Sequence, residues 1–293
     1  MREVALAVTQ FAPTADHAAN ADRAEALVRR AAAEGGQVIL LQELFHGPYF
    51  CITQDPRYFD WAAPVEGHPL IARFAALARE LGVVLPVSFF ERAGQAYFNS
   101  IAIVDADGRT LGIYRKSHIP QGPGYEEKFY FSPGDTGFRV WETAFGRVGV
   151  GICWDQWFPE CARSMALMGA EILFYPTAIG SELIDPTWDS SKHWQAVMCG
   201  HAGANLMPLV ASNRIGTEAG KRGTELTFYG SSFIADWQGQ KVAEADRVTE
   251  SVLTGTFDLD EIAANRAAWG IYRDRRPELY GRVASLDGKG QYC

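Results

Sequence analysis

The chain has 293 residues and a formal net charge of −8 at pH 7, which argues against a nucleic-acid-binding surface and favours neutral or cationic small molecules as ligands. Its composition is 47% hydrophobic and 12% aromatic, enough for a sizeable core. No window approaches about 18 uninterrupted apolar residues, so no membrane span is expected. The apolar run after Met1 is too short for a signal peptide. The five cysteines form no CxxC pair, and their odd number fits a reducing compartment, the cytoplasm.

Apolar periodicity predicts alternating strands and helices in the first part of the chain. The predicted elements are a strand over 3–11, a helix that ends at Gly35-Gly36, a strand over 37–43, a helix from Pro69 to Gly82, a strand over 83–90 and a hairpin over 97–116. A loop of aromatic, proline and glycine residues follows the hairpin. A loop of about twenty residues without regular structure is usually functional or disordered, and the aromatic residues in this one favour function.

The second half repeats the strand–helix–strand pattern. The predicted strands cover 138–143, 147–152, 172–175, 209–213, 226–236, 240–244 and 250–257, and the predicted helices cover 159–169, about 188–204 and 259–269. No Pro- or Ser-rich linker separates the halves, so we expect one domain over 1–293, with an irregular tail from about 271. Because both halves carry such units, a two-layer sheet core with helices outside is predicted.

Cys153 stands where a predicted buried strand turns into a predicted helix. Gly149 and Gly151 lie in the strand, while Pro159 and Glu160 suit a first helical turn. Such a turn lifts a side chain off the carboxyl end of a sheet, and nearby N–H groups and the helix end can hold a thiol as thiolate. A buried core cysteine is the alternative. The bulky, polar-tipped residues that follow Cys153 favour a nucleophile.

Glu43 and Lys116 occupy comparable places, each after a predicted buried strand. Taken singly, a solvated carboxylate and a surface lysine are ordinary alternatives. With a thiol they form a chemically sensible set, because a carboxylate among apolar neighbours can take and return the thiol proton. An ammonium and the backbone N–H of Trp154 would stabilise the oxyanion of a tetrahedral intermediate. The three residues therefore indicate acyl-transfer chemistry.

The segments around these residues resemble the nitrilase superfamily of carbon–nitrogen hydrolases. They are LLQELF over 40–45, YRKSHIP over 114–120 and GICWDQWFPE over 151–160. The resemblance implies an α/β fold, a four-layer α-β-β-α sandwich, with Glu43 as base and acid, Lys116 as oxyanion cation and Cys153 as nucleophile. Many members carry a second glutamate after the lysine; Glu127 matches it and would orient Lys116 and substrate. No cofactor or metal is expected, and the resemblance implies a homo-oligomer, a dimer or larger.

Within the superfamily, three further segments resemble the N-carbamoylputrescine amidases. They are GPGY over 122–125, FYFSPGDTG over 129–137 and FYPTAIGSE over 174–182. The resemblance implies hydrolysis of a cationic carbamoyl amine to putrescine, ammonia and carbon dioxide. Glu182 is expected to bind the distal ammonium, with Tyr49 and Trp154 as walls and Tyr125 as a further substrate-binding residue. An exposed loop charge at Glu182 and core filling at Tyr49 are the alternatives.

Other amidases are the principal alternative. A D-carbamoyl-amino-acid or ω-amide hydrolase binds a distal carboxylate and needs a cationic partner, for which Arg214 or Arg222 could serve. A nitrilase acting on nitriles ranks third. A non-catalytic subunit that keeps the fold is a different class, and the complete Glu-Lys-Cys set favours the enzyme.

Other chemistries find less support in the sequence. No histidine lies in a cysteine-protease signature, and His118 is predicted to be part of the loop structure after Lys116. Cys199-Gly200-His201 is the only tight Cys/His pair, HExxH is absent, and a helical core position is the preferred interpretation. No GxGxxG follows a strand. Three tyrosines of the tail could pack on a neighbouring subunit: Tyr272, Tyr280 and Tyr292.

Overall fold

The computed structural model describes residues 1–289, with the main chain only at Arg222. Tyr292 of the tail and Cys293 lie outside the described residues. The strands are β1 (Glu3–Gln10), β2 (Val38–Leu40), β3 (Leu85–Ala93), β4 (Ala96–Val104), β5 (Thr110–Arg115), β6 (Val140–Thr143), β7 (Gly146–Val150), β8 (Ile172–Pro176), β9 (Leu209–Ser212), β10 (Ile215–Ala219), β11 (Glu225–Tyr229), β12 (Phe233–Ala235), β13 (Lys241–Glu244) and β14 (Ser251–Asp258). The helices are α1 (His17–Ala33), α2 (Pro69–Leu81), α3 (Glu127–Tyr130), α4 (Pro159–Leu167), α5 (Ser191–Asn205) and α6 (Leu259–Trp269).

Local signals account for the long helices. The Asp16 side chain accepts hydrogen bonds from the first N–H groups of α1 and caps it. Pro69 opens α2, where its missing N–H is harmless, and Gly82 ends it in the left-handed region with φ 66°. Pro159 opens α4 in the same way. The boundaries of α2 and the start of α4 agree with the sequence prediction because each depends on residues a few positions apart.

Two larger sheets form the centre of the molecule. One has the strand order β13-β12-β9-β8-β7-β6, with β7, β8 and β9 parallel. In the other, β14-β1-β2 and β3-β4-β5 meet where Ile39 N donates to Val84 O at 3.0 Å and Val84 N donates to Gln37 O at 2.8 Å. These bonds make one continuous hydrogen-bonded surface, although the bridge at Val84 is short.

The two sheets pack face to face, and helices cover both outer surfaces. Alternate residues of β1 show this layering, since Leu6 and Val8 lie between the sheets while Ala7 lies beneath the helices. Helices α1 and α2 pack on the first sheet through Leu27, Val28, Phe74 and Leu77. Helices α4 and α5 pack on the second sheet through Cys161, Met165, Trp194 and Met198. The predicted four-layer α-β-β-α sandwich is therefore confirmed.

Helix α3 lies in the predicted loop, and the strands differ from the predicted ones at two places. The predicted strand over 226–236 is two strands, because Gly230 and Ser231 adopt φ of 52° and 58° and turn the chain between β11 and β12. Strand β11 pairs instead with β10, an unpredicted strand, as a separate hairpin. The predicted strand over 37–43 ends at Leu40, so Glu43 lies on a turn beyond the sheet. No helix within residues 1–289 has both the length and the apolar character for a membrane crossing.

Candidate active site

Glu43 lies on a tight turn after β2. The next residue, Leu44, has φ 48°, a left-handed conformation that a branched side chain rarely adopts. Both ends of the turn are held by hydrogen bonds, since Leu44 N donates to Ser88 Oγ at 2.9 Å and Arg214 Nη2 donates to the Glu43 and Leu44 carbonyl oxygens at 2.9 and 3.1 Å. The Glu43 side chain is completely buried. The fold thus fixes a carboxylate inside the protein.

Lys116 joins two carboxylates in the interior. Its Nζ donates to Glu43 Oε1 at 2.8 Å and to Glu127 Oε2 at 2.6 Å, and the three side chains are fully buried. Asn99 Nδ2 also donates to Glu43 Oε1 at 2.6 Å, and the Tyr49 hydroxyl donates to Glu127 Oε1 at 2.6 Å. Glu43 Oε2 has no hydrogen-bond partner. We call Glu43, Lys116 and Glu127 the acid–base cluster, and one of its oxygens is free to accept a proton.

The charges of the cluster oppose the effect of burial. Burial alone lowers the pKa of Lys116, but the two carboxylates outweigh it and hold that pKa well above its ordinary value. Burial raises the pKa of Glu127 to about 7, with Lys116 acting in the opposite direction and Glu43 adding to the rise. Lys116 is therefore a permanent cation, whereas Glu127 changes charge near neutral pH.

Cys153 lies beside this cluster on the turn after β7. It has φ 43°, is 4% exposed, and its Sγ is 3.9 Å from Ala178 O. Burial and then the charge of Glu43 raise the pKa of the thiol well above its ordinary value, although Lys116 opposes them. The raised pKa favours a neutral thiol at rest, whereas the sequence analysis also allowed a thiolate. A short 3-10 helix, Cys153–Trp157, begins at the cysteine, and α4 begins only at Pro159.

Asp155 fixes the shape of the cysteine turn. Its carboxylate, which is fully buried, accepts from Ile152 N at 2.9 Å and the Tyr114 hydroxyl at 2.7 Å. It also contacts His118, whose backbone N donates at 3.0 Å and whose Nδ1 lies 2.7 Å away. Because Tyr114 and His118 flank Lys116, Asp155 ties the turn of the nucleophile to the segment of the cation. His118 has the loop-structure role that the sequence predicts.

Gly151 explains why the backbone can approach so closely here. A Cβ at this position would lie 2.7 Å from Tyr175 Cε1, 3.0 Å from Cys161 Sγ and 3.2 Å from Asp155 Cβ. The first of these contacts is closer than packed carbon atoms tolerate. Glycine is therefore needed for the strand to pass over α4 and for Asp155 to fold back beneath the turn.

A cavity of about 340 Å³ opens above Cys153. Its lining residues are Pro120, Gln121, Gly122, Pro123, Tyr125, Cys153, Trp154, Trp157, Ala178, Ile179, Glu182, Leu183, Ile184, Trp188, Ser190 and His193. Three of the four predicted substrate-binding residues, Tyr125, Trp154 and Glu182, are among them. The Tyr125 hydroxyl accepts from Gly180 N at 2.8 Å, which ties the two sides of the cavity together. The wall of the cavity is mostly apolar, with the Glu182 carboxylate on one side.

Two predicted residues lie elsewhere. Tyr49 does not line this cavity; it is buried behind the cluster, with its hydroxyl on Glu127. Arg214, the suggested partner for a substrate carboxylate, is completely buried and paired with Glu218 at 2.7 Å. The sequence could not predict this pairing, because Arg214 and Glu218 lie in and beside a hairpin that was not foreseen. The side chain of Arg222 lies outside what the structure describes.

The structure adds polar residues that the sequence analysis did not single out for the site. Asn99 and Ser88 contact the Glu43 turn, and Asp155 shapes the Cys153 turn. One signal was available, since Asn99 and Ser88 are polar residues inside otherwise apolar strand segments.

His201, the histidine of the Cys199-Gly200-His201 pair, contacts a core tyrosine. His201 Nδ1 lies 3.0 Å from the Tyr175 hydroxyl, in the core beneath α5. Within residues 1–289, no three His, Cys, Asp or Glu side chains are grouped so that they could hold a metal ion.

Comparison with known proteins places the chain in a family. The carbon-nitrogen hydrolase family profile matches residues 5–267. An N-carbamoylputrescine amidase of Arabidopsis thaliana is 60% identical over 98% of this chain and 97% of that protein. A citrullinase of Francisella tularensis is 53% identical over 97% and 99%. A carbon-nitrogen hydrolase structure from Helicobacter pylori has a TM-score of 0.90 and 39% identity, covering 97% of this chain and 99% of its own. The chain therefore belongs to the carbon-nitrogen hydrolase family.

Proposed function

We propose that this protein hydrolyses N-carbamoylputrescine to putrescine, ammonia and carbon dioxide. The observation that carries the proposal is the cavity above Cys153, which combines an aromatic lining with the carboxylate of Glu182. The near-full-length similarity to the Arabidopsis relative supports the same substrate. We further propose that residues 1–293 form a single catalytic domain, with the segment from about 271 as its tail.

The proposed substrate matches the chemistry of the cavity at both ends. Its carbamoyl group would lie at Cys153, and its butyl chain would contact the apolar walls. The distal ammonium would be attracted by the Glu182 carboxylate and by the faces of aromatic rings such as Trp154. Tyr125 would help to position the segment that carries Glu182, because its hydroxyl accepts a hydrogen bond from Gly180 N at 2.8 Å.

The first chemical step uses the free oxygen of Glu43. We propose that Glu43 takes the thiol proton as the sulfur attacks the carbamoyl carbon, because Glu43 Oε2 is free to accept it and burial raises the pKa of the thiol. The carbonyl oxygen becomes an oxyanion, stabilised by the Lys116 ammonium and the Trp154 N–H. Collapse of this intermediate expels ammonia or the amine, which takes its proton from Glu43, and leaves a thioester on Cys153.

The second step regenerates the enzyme. Glu43, again ionised, takes a proton from water, and the hydroxide attacks the thioester carbon. Cleavage of the carbon–sulfur bond returns the proton to the sulfur and releases a carbamic acid, which decomposes to carbon dioxide and the remaining amine or ammonia. Glu127 would keep Lys116 in place in both steps, because it shares the ammonium with Glu43.

Citrulline is the second candidate substrate, because a citrullinase is among the similar proteins. Citrulline carries a carboxylate beside its distal ammonium. Among the residues that line the cavity, all in the described part of the chain, Glu182 is the only carboxylate and there is no lysine or arginine. A substrate carboxylate would therefore meet a like charge, with no lysine or arginine in the lining to offset it. The lining favours the diamine.

An ammonia-release panel tests the proposal. The substrates are N-carbamoylputrescine, citrulline, carbamoyl-β-alanine, D-carbamoyl amino acids, a glutarate amide and a nitrile. We expect the highest kcat/KM for N-carbamoylputrescine. A higher value for citrulline or for any of the carboxylate-bearing substrates would replace the proposed function.

Glu182 is tested with a matched pair of substrates. N-butylurea has the carbamoyl group and the four-carbon chain of the proposed substrate but no ammonium. We expect Glu182→Gln to lower kcat/KM for N-carbamoylputrescine by roughly tenfold and to leave N-butylurea unchanged, since only the former loses an ion pair. Glu225→Gln, an exposed substitution on β11, serves as the control. Equal losses for both substrates would remove Glu182 from the role.

We also propose a cytoplasmic homo-oligomer, a dimer or larger. The four cysteines within residues 1–289 are unpaired, which supports a reducing compartment. Exposed apolar side chains are concentrated in the tail, at Leu279, Tyr280, Val283 and Leu286, and a neighbouring subunit would cover them. Light scattering on the purified protein measures the subunit number, and a monomer would contradict this part of the proposal.

A further inference from the structure

We propose that Arg214 and Glu218 form a positioning pair that holds both carboxylates of the acid–base cluster. The reaction assigned to that cluster rests on the proposed function, whereas the positioning itself rests on the contacts below. Neither residue lines the cavity above Cys153, so the pair acts through other residues and not on the substrate.

Arg214 holds the base from behind. Its guanidinium is completely buried, and Nη2 donates to the carbonyl oxygens of both Glu43 and Leu44. Nη1 of the same guanidinium donates to Glu218 while Nη2 makes both carbonyl contacts, and a lysine ammonium offers no such planar, fixed spread of donors. The contact fixes the peptide groups on either side of the Leu44 φ of 48°. The base turn is thus set by a residue 171 positions away in the chain.

Glu218 connects Arg214 through Tyr49 to the second carboxylate of the cluster, Glu127. Its Oε1 accepts from Arg214 Nη1 at 2.7 Å, and its Oε2 accepts from the backbone N of Tyr49. The Tyr49 hydroxyl in turn donates to Glu127 Oε1 at 2.6 Å. The Tyr49 ring also lies 5.7 Å from the Arg214 guanidinium. The Arg214–Glu218 ion pair therefore reaches Lys116 by two routes, through Glu43 on one side and through Tyr49 and Glu127 on the other.

The proposed mechanism explains why the Arg214–Glu218 pair would serve catalysis and not only stability. Glu43 Oε2 must stay without a partner to accept the thiol proton, so the side chain cannot be held at that oxygen. Its position has to be fixed through Oε1 and through the backbone instead. A buried ion pair is poor evidence for stability, because desolvation offsets much of the attraction. Pre-organisation of the cluster is the property that an apolar replacement would not supply.

The test compares conservative variants with a matched control. Arg214→Lys keeps the charge but loses the fork, and Glu218→Gln keeps the shape but loses the charge. Glu171→Gln is the control, since it removes a mostly buried carboxylate from the pair with Arg2, at the opposite end of β8 from the site. Thermal unfolding reports the folded state of each variant. Alkylation of Cys153 by iodoacetamide, read by mass spectrometry across pH, reports proton removal from the thiol without any substrate.

We expect Arg214→Lys to lower kcat by roughly 10²-fold with KM near the parental value, because the reacting groups are displaced and not the cavity. Glu218→Gln should show a smaller loss of the same kind. Cys153 alkylation should slow in both variants and change its pH profile, whereas Glu171→Gln keeps the parental rate and profile. Added guanidinium ion, but not ammonium ion, should partly restore alkylation in Arg214→Ala.

The inference is overturned if folded Arg214→Lys and Glu218→Gln alkylate at the parental rate and pH dependence. It is also overturned if Glu171→Gln slows alkylation equally, since the effect would then be general destabilisation. If Arg214→Ala does not fold, the two conservative variants decide. If the parental protein fails to hydrolyse N-carbamoylputrescine but the variants still show these alkylation changes, only the proposed function is defeated and the positioning role stands.

Discussion

The turn at Glu43 and the turn at Cys153 solve the same structural problem with opposite charges. Each follows a buried parallel strand, β2 in one sheet and β7 in the other, and each contains a non-glycine residue with positive φ, Leu44 at 48° and Cys153 at 43°. Such a conformation costs about 1–2 kcal/mol per residue. An anion, Asp155, accepts N–H groups at the Cys153 turn. A cation, Arg214, donates to carbonyl groups at the Glu43 turn.

The difference between the turns lies in where the holding residue comes from. Asp155 is two positions from Cys153, so the nucleophile turn carries its own support in the motif GICWD. Arg214 lies between β9 and the β10–β11 hairpin, so its contacts with the Glu43 turn require that the second sheet is packed against the first. Local support makes the cysteine turn recognisable from sequence. Remote support makes the base turn sensitive to substitutions far along the chain.

The largest expected effect comes from removing the nucleophile while leaving both turns intact. Cys153→Ser should lower kcat by on the order of 10⁴-fold or more, because an alcohol in this setting is far less nucleophilic than the thiol. The unfolding temperature should stay near the parental one, since the two side chains are similar in size. Ammonia release and thermal unfolding measure the two quantities. Ordinary turnover by this variant would end the proposed mechanism.

The second largest effect is expected from a substitution of Asp155, the local support of the Cys153 turn. In Asp155→Asn an amide N–H₂ faces N–H and O–H donors, and each buried group left unpaired costs about 1–3 kcal/mol. We expect kcat to fall by roughly 10²-fold as the turn moves, together with a lower free energy of unfolding in urea.

The matched control for that substitution is Asp16→Asn at the start of α1. Asparagine caps a helix as well as aspartate does, so the activity and stability of this variant should stay parental. Unchanged kinetics in Asp155→Asn would mean that the cysteine turn needs no anion, and the comparison of the two turns would fail.

Glu127 gives the comparison a pH dependence. Its pKa of about 7 in the folded protein exceeds the ordinary value of 4.5, so folding favours its protonated form. The stability that it contributes is complete below pH 4.5 and is lost as pH rises through 7. The parental free energy of unfolding should therefore fall across this interval by up to roughly 3 kcal/mol from this group. Urea unfolding at several pH values should show that Glu127→Gln lacks this decline; parallel curves for both proteins would contradict the assignment.

The smallest expected effect is that of Tyr49→Phe. It removes the hydroxyl that donates to Glu127 Oε1, and that hydrogen bond lowers the Glu127 pKa. The acid limb of the pH–rate profile should consequently move to higher pH, with a modest loss in kcat at neutral pH. Tyr58→Phe, a partly exposed tyrosine in the neighbouring aromatic cluster, serves as the control. Superimposable profiles for Tyr49→Phe and parent would disconnect Tyr49 from the cluster.

Sequence signals were sufficient where a few neighbouring residues decide the structure. The ends of α2 at Pro69 and Gly82 and the opening of α4 at Pro159 appear where they were predicted. The three motifs around Glu43, Lys116 and Cys153 led to the family and hence to the four layers. Tyr125, Trp154 and Glu182 line the cavity as the sequence analysis expected, whereas Tyr49, which was also expected to form a wall, does not.

By itself the sequence determined the type of each main element, the family, and the acid, amine and thiol proposed for the chemistry. These follow from patterns within a turn or a strand, where propensity and periodicity act over a few residues. Only the tertiary structure decided that Asn99 and Arg214 hold the Glu43 turn, that β10 pairs with β11, and that burial raises the pKa of the Cys153 thiol. Those properties depend on burial and on contacts between distant segments, which no local pattern encodes.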